Sequence, residues 1–294
     1  MTSPRLLPDL LVLLVVAALW GASFLFIRVG VHDLGPVALI EARVGLAGLA
    51  LLAVVTVLRR RPAWSDRRRY LVLGTLSAAV PFTLIAAAEL HITASLASIL
   101  NATTPLFSLL LSVVWLGEPL TPRRLAGVLL GVLGVGVLVG LGPVTVDLPL
   151  VLAVAASLLA ALLYAAGGIY ARTHFAGTPP ITVATGQQLA AAVLLLVPTA
   201  FLPPARVPTA PVAGAVLALA LACTALGFAL FYRLVARLGP TGALTVTFLV
   251  PVFGSAWGAL FLDEPLTLGT GLGLIVVLSS VALVTVHRRQ TAAA

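Results

Sequence analysis

Apolar residues run through this chain in blocks of about 20, separated by short polar or turn-forming segments. A helix needs roughly 20 apolar residues to cross the hydrocarbon core of a bilayer. Ten stretches meet that requirement, at about 10–29, 36–58, 70–90, 92–116, 123–141, 148–170, 181–202, 211–233, 240–262 and 268–286. The breaks carry turn chemistry at Gly35-Pro36, Glu118-Pro119, Gly142-Pro143, Pro179-Pro180, Pro203-Pro204, Gly239-Pro240 and Glu264-Pro265. Connections are short, so no soluble domain is inserted. The first run, Leu10 to Ile27, is longer than the h-region of a signal peptide, about 7–15 residues, and is followed by nine more, so it reads as a span. The pattern predicts an all-α integral membrane protein with ten transmembrane helices.

Composition agrees with the pattern. Of 294 residues 61% are hydrophobic and 9% charged, against about 25% charged in a soluble domain, and mean hydropathy is +1.18. The net charge of +8 comes from 17 Arg and no Lys. Fourteen of these lie at span ends on the side shared by both termini: Arg5, Arg59, Arg60, Arg61, Arg67, Arg68, Arg69, Arg123, Arg124, Arg172, Arg233, Arg237, Arg288 and Arg289. Arg28, Arg43 and Arg206 fall toward the other side. Basic residues favour the cytoplasmic side, so a multi-pass protein of the plasma (inner) membrane with both termini cytoplasmic is expected. The basic charge then reports orientation, and no nucleic-acid partner is expected. Cys223 is the sole cysteine, which excludes an intramolecular disulfide and a cysteine-based metal site.

The segment WLGEPLT (115–121) recurs as FLDEPLT (261–267), an offset of 146. Without gaps, the same offset places Pro105 on Pro251, Phe107 on Phe253, Ala97 on Ala243, Phe82 on Phe228, Gly127 on Gly273 and Gly21 on Gly167. Residues 95–121 and 241–267 are identical at 8 of 27 positions. The chain reads as two five-span units, 10–141 and 148–287. Five is odd, so the second unit enters the membrane in the opposite sense, and inverted repeats are a common construction of secondary transporters.

WGASF (20–24) in the first span, PLFSLLLSVVWLGEPLT (105–121) closing the fourth and its diverged copy PVFGSAWGALFLDEPLT (251–267) resemble the EamA-type branch of the drug/metabolite transporter superfamily. The resemblance covers nearly the whole chain. It implies a central cavity lined by the first four helices of each repeat, the fifth and tenth packing outside, and export of small metabolites, amino acids among them. The second copy departs at its start, where Trp20 corresponds to Ala166.

Ionisable residues inside spans cost about 2.5–3.5 kcal/mol each at the bilayer centre on insertion scales and usually face a cavity or a partner. Glu41 and Arg43 lie roughly 8–11 Å below the start of the second span, at about 1.5 Å per residue. Arg28, Glu89 and His91 are expected at the same depth. One reading makes Glu41, Arg43 and Glu89 an external gate or a site for a zwitterion. The other pairs Arg43 with Glu41 or Glu89 structurally and lets Arg28 and His91 reach the interface. The repeat places Gln187 at the position of Glu41 and Leu189 at that of Arg43.

Asn101, Thr103 and Thr104 precede Pro105, as Thr245 and Thr247 precede Pro251. A proline frees the carbonyl four residues earlier, so Asn101, Thr104 and Thr247 either line a site or satisfy that backbone locally. Pro81, Pro105 and Pro251 are hinge candidates. Trp20, Phe24, Phe82, Tyr164, Tyr170, Phe228 and Tyr232 occupy spans that the resemblance assigns to the cavity. Gly127 and Gly131, with Gly136 and Gly140, form two GxxxG spacings, which fit a dimer face or internal packing equally.

No Walker sequence supports ATP hydrolysis, and no HExxH or GxSxG supports an enzyme. No metal or cofactor is expected. The partners expected are a small-molecule substrate and the lipid bilayer. Proton coupling would need Glu41 or Glu89. The alternatives to a secondary transporter are a non-transporting receptor or scaffold and a membrane-embedded enzyme on lipid-linked substrates; oligomeric state is open.

Overall fold

The computed structural model describes residues 6–59, 66–140, 147–204 and 206–285. Arg5, Arg60, Arg61, Arg288 and Arg289, which carry part of the orientation count, lie outside the described residues, as do the Gly142-Pro143 turn and the outer ends of the two units at 141 and 286–287. Ten apolar helical elements follow one another among the described residues: α1 Leu6–Leu34, α2 Pro36–Val57, α3 Arg67–Ala88, α4 Ala94–Leu116, α5 Pro122–Gly140, α6 Leu148–His174, α7 Pro180–Phe201, α8 Ala210–Gly239, α9 Val246–Phe261 and α10 Leu268–Thr285. Nine are long and apolar enough to cross a membrane. The exception, α9, has 16 residues and is preceded by a helical turn at 240–244. Gly239, with φ 74°, makes the bend that ends α8, a conformation that glycine adopts without the Cβ penalty. Among the described residues there is no strand.

The repeat is visible in local structure. A π-helical segment interrupts α3 at Thr75–Ala79 and another interrupts α8 at Ala218–Leu226. The 146 offset carries the first onto 221–225, inside the second. A π turn widens the helix and re-aims side chains, and such turns are frequent at functional sites. In α8 the Thr224 hydroxyl donates to the Leu219 carbonyl five residues back, at 2.7 Å.

Helix pairs close the body. α5 packs on α10, α2 on α7, α1 on α9 and α3 on α6. Small residues allow these approaches. A Cβ at Gly21 would stand 2.7 Å from the Phe253 Cβ and 2.8 Å from the Gly254 nitrogen of α9. Gly127 and Gly131 both face Ser280 of α10, so this GxxxG spacing serves an interface within the chain. Gly136 and Gly140 face open space.

Pro105 is no kink inside a continuous helix. α4 breaks at Ala102–Thr103 into Ala94–Asn101 and Thr104–Leu116, and Pro105 sits in the first turn of the second piece, where a missing N–H costs little. Pro81 likewise opens the α-helical stretch after the π segment of α3, whereas Pro251 lies inside α9.

Candidate functional site

α2 begins at Pro36 immediately after Gly35, whose φ of 73° turns the chain out of α1. Arg43 therefore projects two turns into the body. It is 6% exposed. Its Nε donates to the Thr224 hydroxyl at 3.0 Å, and its Cζ stands 3.7 Å from the centroid of the Phe82 ring. Phe82 meets Tyr164 edge to face at 5.9 Å. Helices α2, α3, α6 and α8 thus converge on one guanidinium. Neither Glu41 nor Glu89 forms an ion pair with it, so the expected structural pairing is absent among the described residues. Its Nη groups donate to no protein acceptor among the described residues. A buried guanidinium held by one hydroxyl and one ring face keeps its planar fork for a carboxylate or phosphate.

Aromatic residues extend from this centre along α8. Trp20 packs on Phe228 at 5.9 Å and on Phe231 at 5.0 Å, and Phe228 stacks on Tyr232 at 6.0 Å. All four are half-buried. Phe24 lies instead in the hydrophobic core at 5% exposure, with Ile27 and Ile40 in the same cluster. Tyr170 stacks on His174 away from this group.

The other polar candidates divide. Gln187 is committed to structure: its Nε2 donates to the Ser77 carbonyl at 3.2 Å. Ser77 is four residues before Pro81, the position whose carbonyl a proline leaves unbonded in a regular α-helix. At the repeat position of Pro81 stands Gly227, which keeps its N–H, and Glu41, the counterpart of Gln187, forms no hydrogen bond or ion pair among the described residues. Thr104 donates to the Asn101 carbonyl at 2.7 Å and Thr103 to the Leu100 carbonyl at 2.6 Å. The carbonyl freed by Pro105 is therefore met locally, while the Asn101 side-chain oxygen is buried without a partner. Thr247 is half-buried in the first turn of α9.

Arg28 does not simply reach the interface. It donates to the Glu89 carbonyl, and at 3.5 Å to the Ile92 carbonyl, in the turn between α3 and α4. The Glu89 carboxylate is fully buried and neither oxygen has a hydrogen-bond partner. His91 is exposed. Two residues were not singled out by the sequence. Thr224 is aimed by a π turn that apolar patterning does not reveal. Gln188 is 0% exposed with both amide atoms unpartnered. Among the described residues no three His, Cys, Asp or Glu side chains gather at a metal spacing.

Comparison with known proteins agrees with this architecture. The profile of the EamA-like transporter family matches the chain twice, at residues 7–140 and 151–286. The chain is 32% identical over 283 residues to a "Probable terminal-alkyne amino-acid exporter" of Streptantibioticus cattleyicolor, covering 91% of each chain. It is 26% identical over 277 residues to an "Uncharacterized transporter" of Archaeoglobus fulgidus, with 93% of this chain and 97% of that one covered. It is also 26% identical over 279 residues to a "Probable amino-acid metabolite efflux pump" of Escherichia coli K12, with 90% and 91% covered. A solved crystal structure, 19% identical, superimposes with a TM-score of 0.67 over 95% of this chain and 96% of the other, a shared fold. With ten apolar helices in two inverted five-helix sets and a family match over both, this chain is a multi-pass membrane protein belonging to the EamA-like transporter family of the drug/metabolite transporter superfamily.

Proposed function

We propose that this transporter exports amino acids and related small metabolites by alternating access of its two inverted repeats, 10–141 and 148–287. The observation that carries the substrate class is Arg43, buried at the meeting point of four helices with its Nη fork uncommitted. Such a fork takes a carboxylate in two parallel hydrogen bonds, and the ring faces of Phe82 and Tyr164 beside it suit an apolar side chain. Two relatives named as an amino-acid exporter and an amino-acid metabolite efflux pump support the same reading. The concentration of Arg at one set of span ends supports cytoplasmic termini in the inner membrane, which makes the Glu89 end external. Glu41 and Glu89 are the groups through which proton coupling would run, since neither has an ionic partner among the described residues. A transporter's work needs no catalytic constellation, and we read the chain as non-enzymatic.

The test is transport by the purified protein in liposomes, against labelled amino acids, sugars, nucleotides and cationic drugs. Amino-acid flux that unlabelled amino acids compete away is the expected result. Flux of another class alone removes the substrate assignment. Absence of flux for every class leaves the receptor or scaffold reading in its place.

A further inference from the structure

The two EPLT segments have the same backbone and different side-chain destinations. In each, the glutamate N–H closes on a carbonyl six residues earlier: Glu118 on Ser112 at 3.3 Å and Glu264 on Gly258 at 3.2 Å. The Glu264 carboxylate then reaches across to α4. It accepts from the Ala94 N–H at 2.7 Å, from the Ser95 N–H at 2.9 Å and from the Ser95 hydroxyl at 2.5 Å. Thr93 caps the next free donor, Leu96 N–H, at 3.1 Å. A carboxylate on the positive end of a helix is favoured by the exposed N–H groups and by the helix dipole. Arg28 secures the other arm of the same hairpin through the carbonyls of Glu89 and Ile92, the complementary charge at a helix C-terminus. The tip of the α3–α4 hairpin is clamped from both sides.

At the opposite face the equivalent groups are undocked. The counterpart of Glu264 is Glu118, which instead pairs with Arg124 at 3.3 Å on the surface. Arg28 corresponds to His174, whose Nδ1 lies within hydrogen-bonding distance of Thr173 and Tyr170 of its own helix. Packing follows the same asymmetry. The Ala94–Asn101 half of α4 packs chiefly on α9 and also on α6, whereas the Thr104–Leu116 half packs chiefly on α6. Gly21 lies against Phe253 of α9, but its counterpart Gly167 lies against Ser77 of α3, away from Phe107 of α4.

We propose that the two EPLT glutamates are reciprocal latches of alternating access, Glu264 holding the external mouth closed in this conformation and Glu118 seating on the helical turn that begins at Pro240 when the internal mouth closes. The internal seat is the weaker. Pro240 occupies the position of Ala94 and supplies no N–H. Gly258 leaves the space that Glu264 occupies, since a Cβ there would collide with its carboxylate, and Ser112 stands at the matching internal position. Arg124 competes for Glu118, while its external counterpart is the uncharged Thr270. Fewer bonds and a competing partner explain why the externally closed form is the one observed. This inference rests on the alternating-access reading but not on the substrate.

The experiment is double electron–electron resonance on the full chain in nanodiscs without substrate, with Cys223 replaced by serine. One pair of spin labels at positions 91 and 266 spans the external mouth, and a second at 120 and 238 spans the internal one. The expected result for Glu264→Ala is that the population with a long external separation rises about tenfold and the internal pair shortens, because charge-assisted hydrogen bonds are lost from one state only. Glu264→Gln and Ser95→Ala shift in the same direction by less, and they carry the test should the alanine variant fold poorly. Arg124→Ala, which frees Glu118, shifts the same way, and adding Glu118→Ala reverses it. Unchanged external distances in Glu264→Ala and Glu264→Gln overturn the external latch. An Arg124→Ala shift that survives removal of Glu118 overturns the internal one.

Discussion

Arg43 and Thr224 are 181 positions apart in the chain and 3.0 Å apart in the fold, a single hydrogen bond joining the second helix of one repeat to the π turn of the other. The bond orients the guanidinium along the Phe82 ring and leaves its fork turned away from the hydroxyl.

Arg43→Ala is expected to lower kcat/KM for amino-acid export at least about tenfold, the loss of a charge-assisted contact. Arg43→Lys keeps the charge without the planar fork and should fall between. Thr224→Val should retain binding of moderately reduced affinity, since the fork survives but its orientation loosens. Counterflow in liposomes measures all three, and equal activity of the lysine and native proteins argues against bidentate recognition.

Phe82 supports the same cation from below. A cation–π contact is worth about 0.5–2 kcal/mol depending on desolvation, so Phe82→Leu should weaken substrate affinity by several-fold while Phe82→Tyr retains it. The check is substrate Kd by calorimetry in detergent.

Gln187 is expected to act on stability. Gln187→Leu orphans the Ser77 carbonyl and should cost about 1–3 kcal/mol. Pro81→Ala restores the N–H that this carbonyl lacks, so the double variant should recover part of the loss. A thermal-unfolding double-mutant cycle reads the coupling, and additive effects would detach Gln187 from Pro81.

Gly21 sets the approach of α1 and α9. Gly21→Leu forces atoms into the Phe253 backbone and is expected to destabilise by about 1–3 kcal/mol or more. Gly136→Leu, on a face with open space, should leave the Tm of the monomer nearly unchanged.

Block length together with the 146-residue repeat determined that the chain carries ten apolar helices and that its second half inverts the first, because block length, motif offset and an odd span count are properties of the linear order. The offset of 146 even carries one π segment onto the other, though neither is visible as a pattern. That Arg43 lies inside the helical body was also legible, since a charge in an apolar run has few places to go. Its partner was not, because neither expected carboxylate, Glu41 or Glu89, forms an ion pair with it among the described residues, and Thr224 reaches it through a turn of altered pitch. For Thr104 the sequence left open whether it lines a site or meets the backbone freed by Pro105, and the fold shows the second; the bond of Gln187 to the Ser77 carbonyl of α3 was not legible, because it joins residues 110 positions apart. The roles of Glu118 and Glu264, identical in motif, were decided only by tertiary structure. The same residue type on the same backbone binds a helix end at one face and a surface arginine at the other, because the two halves of one repeat sequence occupy different conformations at once.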